Sequence, residues 1–70
     1  MDSISIITIN KLISLLNTNQ QIIANELLIN INFDIYHQYN NNNIIFLIKD
    51  KRTNSTYNFI EYVKSKCNCS

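Results

Sequence analysis

The fold of this chain is decided by residues 27–52, which read LLININFDIYHQYNNNNIIFLIKDKR. From Ile29 to Ile35 every second residue is apolar, which is the pattern of a strand with one buried face. Residues 40–43 are four consecutive asparagines, and residues 44–48 are all apolar and rich in β-branched side chains. The stretch therefore predicts two strands that pair as an antiparallel hairpin around the asparagines.

Asparagine is the residue best suited to turn this chain. The sequence contains thirteen Asn and fourteen Ile but no Gly and no Pro. A turn that needs a positive φ angle must use the next most tolerant residue, which is Asn. We therefore expect turns at residues 17–19, at residues 40–43 and near Asn54. The same composition, rich in residues with AU-rich codons, indicates a gene from a strongly AT-biased genome.

The parity of the apolar residues predicts the register of the hairpin. If Asn41 and Asn42 form the centre of the turn, paired positions sum to 83 (41 + 42). The pairs on one face are then Ile35 with Ile48, His37 with Phe46 and Tyr39 with Ile44. We expect this face to be buried, because a slip of one residue would move a whole apolar set to the other side.

The opposite face of the hairpin pairs Tyr36 with Leu47 and Asp34 with Lys49, and it also carries Ile45. Either a helix or the N-terminal segment covers this second face, or it is an exposed apolar patch that marks a protein interface. We therefore assign Tyr36, Ile45, Leu47 and Lys49 as candidate partner-binding residues. The unpaired hairpin edge offers a second route, by strand addition to another protein or to a second copy as a homodimer.

Helical periodicity precedes the hairpin. The apolar residues Ile9, Leu12, Ile13 and Leu16 fall at i, i+3, i+4 and i+7. They predict a first helix that starts between residues 3 and 8, with Thr8 as a candidate N-cap, and ends near Asn17. A second helix over about residues 19–28 is predicted by Thr18 and Gln21, which have the spacing of a capping box.

A last helix is predicted after the hairpin. Residues 53–55 read as a turn, and Asn54 or Ser55 is the expected N-cap. The helix face then carries Phe59, Ile60 and Val63. Lys64 and Lys66 lie near its end, where cations interact favourably with the helix dipole.

These elements predict a single α+β domain over residues 1–70. The expected order is α-α-β-β-α, with the helices packed on one side of a small antiparallel sheet. The alternative order, α-β-β-β-α, places the β-branched region at Ile22 in a strand. A third strand through Tyr57, Phe59 and Glu61 is possible. The i, i+1, i+4 spacing of the apolar residues from Phe59 to Val63 favours a helix instead. A chain of 70 residues can build only one hydrophobic core.

Composition and charge exclude several classes of protein. Hydrophobic residues make up 46% of the chain and charged residues 16%, which excludes an intrinsically disordered chain. The net charge of +1 creates no strong field towards nucleic acid or membrane. No apolar run approaches the roughly 18 residues that span a bilayer, and the N-terminus lacks the basic region of a secretory signal. We therefore expect a cytoplasmic protein, in the host cell if it is viral, with no membrane partner.

Few residues could support catalysis or metal binding. His37 is the only His, and we expect it to be an ordinary hairpin residue rather than a general base or metal ligand. Cys67 and Cys69 form a C-x-C pair, but a structural zinc site needs four ligands. Free thiols are expected there, with zinc or an intermolecular bridge as alternatives. We predict no enzyme activity, no cofactor and no metal.

The leading hypothesis is a non-enzymatic protein–protein interaction module, such as a small accessory or inhibitory protein of a virus or phage. One alternative is a small structural subunit buried in a larger assembly. Another is a weak nucleic-acid-binding protein, although the low net charge and interspersed acidic residues argue against it. Its phosphate contacts would come from Lys49, Lys51, Arg52, Lys64 and Lys66, with Tyr57 and Tyr62 stacking on bases.

Overall fold

The computed structural model describes residues 2–67. Its elements, in chain order, are α1 (Ser3–Ser14), α2 (Thr18–Ile29), β1 (Phe33–Asn40), β2 (Asn43–Asp50), β3 (Ser55–Asn58) and α3 (Phe59–Lys66). The strands form one antiparallel sheet in the order β1-β2-β3. The α+β class is confirmed, and the order is α-α-β-β-β-α. The alternative with a strand at Ile22 is wrong, because this residue lies inside α2.

The predicted hairpin and its register are confirmed. β1 and β2 pair so that Ile35 lies opposite Ile48 and Tyr36 opposite Leu47. The connecting residues Asn41 and Asn42 have φ angles of 50° and 69°. Positive φ at both central residues is the signature of the two-residue turn whose twist matches paired strands.

β1 begins later than the alternation predicted. Ile29 ends α2, and Ile31 lies in a turn with 84% of its surface exposed. Asn30 forms this turn: its side chain accepts a hydrogen bond from the Asn32 N–H (2.9 Å), and its carbonyl accepts one from the Phe33 N–H (3.2 Å). These local hydrogen bonds compete with a strand conformation.

The third strand, β3, is absent from the predicted order. It pairs with β2 through Ile48 and Tyr57 after a turn in which Asn54 has a φ angle of 62°. The N-cap of α3 is Asn58, whose side chain accepts a hydrogen bond from the Glu61 N–H (3.1 Å). The prediction of a cap at residue 54 or 55 is wrong because the four residues of β3 lie between that turn and the helix.

The caps of the first two helices are also shifted from the predicted residues. Asp2 caps α1, whereas the Thr8 hydroxyl donates to the Ile4 carbonyl inside the helix (2.7 Å). α2 is capped by Asn17 and Gln20, whose side chains and backbone N–H groups bond reciprocally. This capping box lies one residue before the predicted pair.

All three helices pack on one side of the sheet, as predicted. The core consists of Ile9, Ile13, Ala24, Phe46, Ile48, Phe59 and Val63. Phe46 and Ile48 lie on the same face of β2, which we call the covered face. Their exposed fractions are 2% and 0%, and full burial of such a side chain contributes roughly 1.5–3 kcal/mol.

Candidate functional site

The sheet has a second face, which we call the open face. By the pairing of the strands it carries Asp34, Tyr36, Gln38, Ile45, Leu47, Lys49, Thr56 and Asn58. The buried apolar side chains of all three helices belong to the core on the covered face. Within residues 2–67, therefore, no helix packs over the open face.

The centre of the open face is apolar. Leu47 lies in the central strand between Tyr36 on β1 and Asn58 on β3. Ile45 follows on the same side of β2, opposite Gln38. Ile45 and Leu47 are half-buried by their neighbours in the sheet, and Tyr36 is 40% exposed. The structure thus brings together the three apolar residues that the sequence assigned to a partner-binding surface.

Charged groups border this apolar centre. Asp34 lies opposite Lys49 in the register, as predicted, but its ion pair is with Lys51, whose Nζ is 3.3 Å from Oδ1. Lys49 is half-buried, and no carboxylate among residues 2–67 lies within 4.0 Å of its Nζ. The open face therefore presents one positive charge that the described part of the chain does not neutralise.

Arg52 belongs to the other side of the sheet. Its Nε and Nη2 donate to the two carboxylate oxygens of Asp50 at 3.2 and 3.3 Å. This pairing lowers the pKa of the Asp50 carboxyl and raises the pKa of Arg52. The guanidinium also lies 5.6 Å from the ring centre of Phe33, which packs against the core. The basic residues predicted to contact nucleic acid are thus divided between the two faces.

A shallow cleft of about 540 Å³ lies between β3 and α3. Tyr57 and Tyr62 contact each other there, with ring centres 5.0 Å apart, and the Lys66 Nζ lies 5.1 Å from the Tyr62 ring. Asp50 and Glu61 also line the cleft. The Tyr57–Tyr62 contact was not predicted, because it depends on β3. Lys64, the remaining member of the predicted basic group, is exposed on α3.

The residues considered for metal or redox chemistry are placed separately. His37 is half-buried on β1, with its ring 5.5 Å from that of Tyr39 in an edge-to-face contact. No three His, Cys, Asp or Glu side chains within residues 2–67 could hold a metal ion together. Cys67 is disulfide-bonded, so the expectation of a free thiol there is wrong; it assumed a reducing compartment. Cys69 lies outside the described residues.

Comparisons with protein-family models, curated proteins and solved structures give no match for this chain. In the part of the chain that the structure describes, every helix is too short or too polar to cross a membrane. Because no relative indicates a function, a function must be inferred from the faces and edges of the sheet.

Proposed function

We propose that this chain is a non-enzymatic protein–protein interaction module that binds another protein through the open face. Tyr36, Ile45 and Leu47 form the centre of the binding surface, and Lys49 lies at its border. The partner supplies an apolar surface with a carboxylate placed to meet Lys49.

The composition of β2 is the observation that carries this proposal. Its residues 44–48 are apolar at every position, which is typical of strands covered on both faces. Among residues 2–67, helices cover only the face with Phe46 and Ile48. A strand with one face in water is expected to carry polar residues at positions 45 and 47, as β1 does at Gln38. A bound protein over the open face accounts for the difference.

The arrangement of the open face supports the same conclusion. Its apolar centre is surrounded by Gln38, Asp34, Thr56 and Asn58, and interfaces commonly place a polar rim around an apolar centre. Tyrosine is enriched among residues that dominate binding energy, and Tyr36 lies directly beside Leu47.

The proposal is tested with two matched Leu-to-Lys variants. Leu47→Lys places a charge in the centre of the open face, whereas Leu15→Lys places the same charge on a residue that is 81% exposed at the end of α1. Proteins captured by the wild-type chain from an extract of the encoding organism are purified and titrated against both variants. We expect Leu47→Lys to weaken binding at least about 100-fold and Leu15→Lys less than about twofold.

Folding of each variant is checked by far-ultraviolet circular dichroism and amide NMR spectra. A folded Leu47→Lys variant that binds every purified partner as tightly as the wild type does would show that the open face is not the binding surface. Loss of binding in both variants would point to a general charge effect and would equally contradict the proposal.

The other two functions stay predictions. For nucleic acid, the division of Lys49 and Arg52 between opposite faces, and the pairing of Arg52 with Asp50, reduce the charge available to one phosphate backbone. Binding that does not weaken between about 50 and 200 mM salt would reject that function. A structural subunit of a larger assembly would have its open face protected in the assembly and would be poorly soluble alone.

A further inference from the structure

The outer edge of β1 carries backbone groups that point away from the sheet. The Lys51 N–H donates to the Asn32 carbonyl at 2.9 Å, which sets the phase of the hydrogen bonds between β1 and β2. In an antiparallel ladder only alternate residues bond to the neighbouring strand. The even-numbered residues of β1, from Asp34 to Asn40, therefore bond to β2, and the odd-numbered residues face outwards.

Three of the outward N–H groups have no acceptor within residues 2–67. Phe33 donates to the Asn30 carbonyl at 3.2 Å. Ile35, His37 and Tyr39 have no hydrogen bond from their N–H groups to any atom of this part of the chain. The edge is accessible, since Gln38 and Asn40 are exposed and Tyr39 is 61% exposed.

The two edges of the sheet differ in how well they are protected. Proteins usually protect edge strands by making them short or by adding Lys, Pro or a bulge. β3 has four residues and runs directly into α3 at Phe59. β1 has eight residues, contains no Lys or Pro, and carries Asp34 as its only acidic side chain. Of the two edges, β1 is the one that offers a long, unprotected template for another strand.

We propose that β1 pairs antiparallel with β1 of a second copy of this chain about a two-fold axis. Paired positions sum to 74 (35 + 39), so Ile35 lies opposite Tyr39 of the second copy and the two His37 residues lie opposite each other. This register uses the three free N–H groups on each copy and no others. The register in which paired positions sum to 72 requires the Phe33 N–H, which already donates to the Asn30 carbonyl. The register in which they sum to 76 leaves the Ile35 N–H unused.

The pairing would produce a six-stranded sheet in which the two open faces form one continuous surface. Tyr36 of each copy would lie next to Gln38 of the other, beside the axis. The pairing does not depend on what binds the open face, because Leu47 is in the central strand and takes no part in the β1 edge.

The test compares His37→Pro with His37→Ala. Both remove the imidazole, but only proline removes the outward N–H, and an edge strand tolerates proline at such a position. By sedimentation of the full chain over a range of concentrations, we expect a wild-type dimer of twice the monomer mass. His37→Ala should dimerise with an affinity within about threefold of the wild type. The dimerisation affinity of His37→Pro should be about 10- to 100-fold weaker.

Hydrogen exchange on the wild-type chain tests the same pairing without a variant. The amides of Ile35, His37 and Tyr39 should become slower to exchange as concentration rises, whereas Gln38, already bonded to β2, should change little. A chain that stays monomeric at about 1 mM, or a dimer whose protected amides lie elsewhere, overturns the proposal. So does a dimer that survives in folded His37→Pro. Leu47→Lys should dimerise normally, which separates this proposal from binding at the open face.

Discussion

The two faces of β2 have opposite environments although their residues alternate along one short apolar run. Phe46 and Ile48 are almost completely buried beneath three helices, whereas Ile45 and Leu47, which alternate with them along β2, are half-buried by neighbouring strands. The apolar run therefore exceeds what the core of this domain requires. The proposed binding surface accounts for this excess, because an exposed apolar patch on a small domain is typical of a protein interface.

The largest effect should come from truncating adjacent residues on the two faces. Phe46→Ala leaves a cavity in the core, and we expect it to cost about 3–5 kcal/mol, comparable with the whole stability of a domain this small. Leu47→Ala should cost only about 1 kcal/mol, because the Leu47 side chain is only half-buried and no helix packs over it within residues 2–67. Urea denaturation followed by circular dichroism measures both. Equal losses at the two positions would mean that the open face is covered within the chain.

A second prediction concerns the turn that assigns residues to the two faces. Asn42 has a φ angle of 69°, a conformation that costs most residues with a Cβ about 1–2 kcal/mol. Asn42→Ala should therefore destabilise the domain by about 1 kcal/mol, and Asn42→Gly should stabilise it by a few tenths. Both are measured as shifts of the urea midpoint. If Asn42→Ala has no effect, the two-residue turn is not what sets the register.

The hairpin was predictable because its determinants are local. Alternation in β1, the asparagine turn and the parity of residues 44–48 all agree on one register. The position of the capping box of α2 could not be predicted from the local sequence. Asn17 and Thr18 are each followed by a Gln three residues later, so the pattern fits both residues. β3 has four residues and carries no recognisable alternation, so its pairing with β2 depends on tertiary contacts that a sequence pattern does not contain.

The candidate site was predictable only in part. The parity of the hairpin residues is sufficient to place Tyr36, Ile45 and Leu47 together on one face. Whether a helix covers that face depends on the angle at which each helix leaves its turn, which the apolar spacing does not specify. The ion pair of Asp34 with Lys51, rather than with Lys49, likewise depends on side-chain conformation beyond the register.

The smallest effect should be a loss of thermal stability that appears only at acid pH. It concerns the cap of α1, one of the helices over the covered face. Asp2 caps α1, and the Ser5 N–H that donates to its carboxylate at 2.8 Å lowers the pKa of Asp2. A carboxyl whose pKa is lower in the folded chain stabilises that chain above its unfolded pKa of about 4, and the stabilisation is lost as pH falls through the folded value. Melting temperatures should therefore fall below about pH 4.

Asp2→Asn separates the charge of this cap from its hydrogen bond. Asparagine is as good an N-cap as aspartate, so the neutral-pH melting temperature should change little. The acid-induced fall should become shallower but should not vanish, because the Asp50 carboxyl, with its pKa lowered by Arg52, remains on the same side of the sheet. If the acid dependence is identical in wild type and Asp2→Asn, the charge of the Asp2 carboxylate does not stabilise α1, and the helix that covers Phe46 and Ile48 depends on its cap hydrogen bond and on apolar packing.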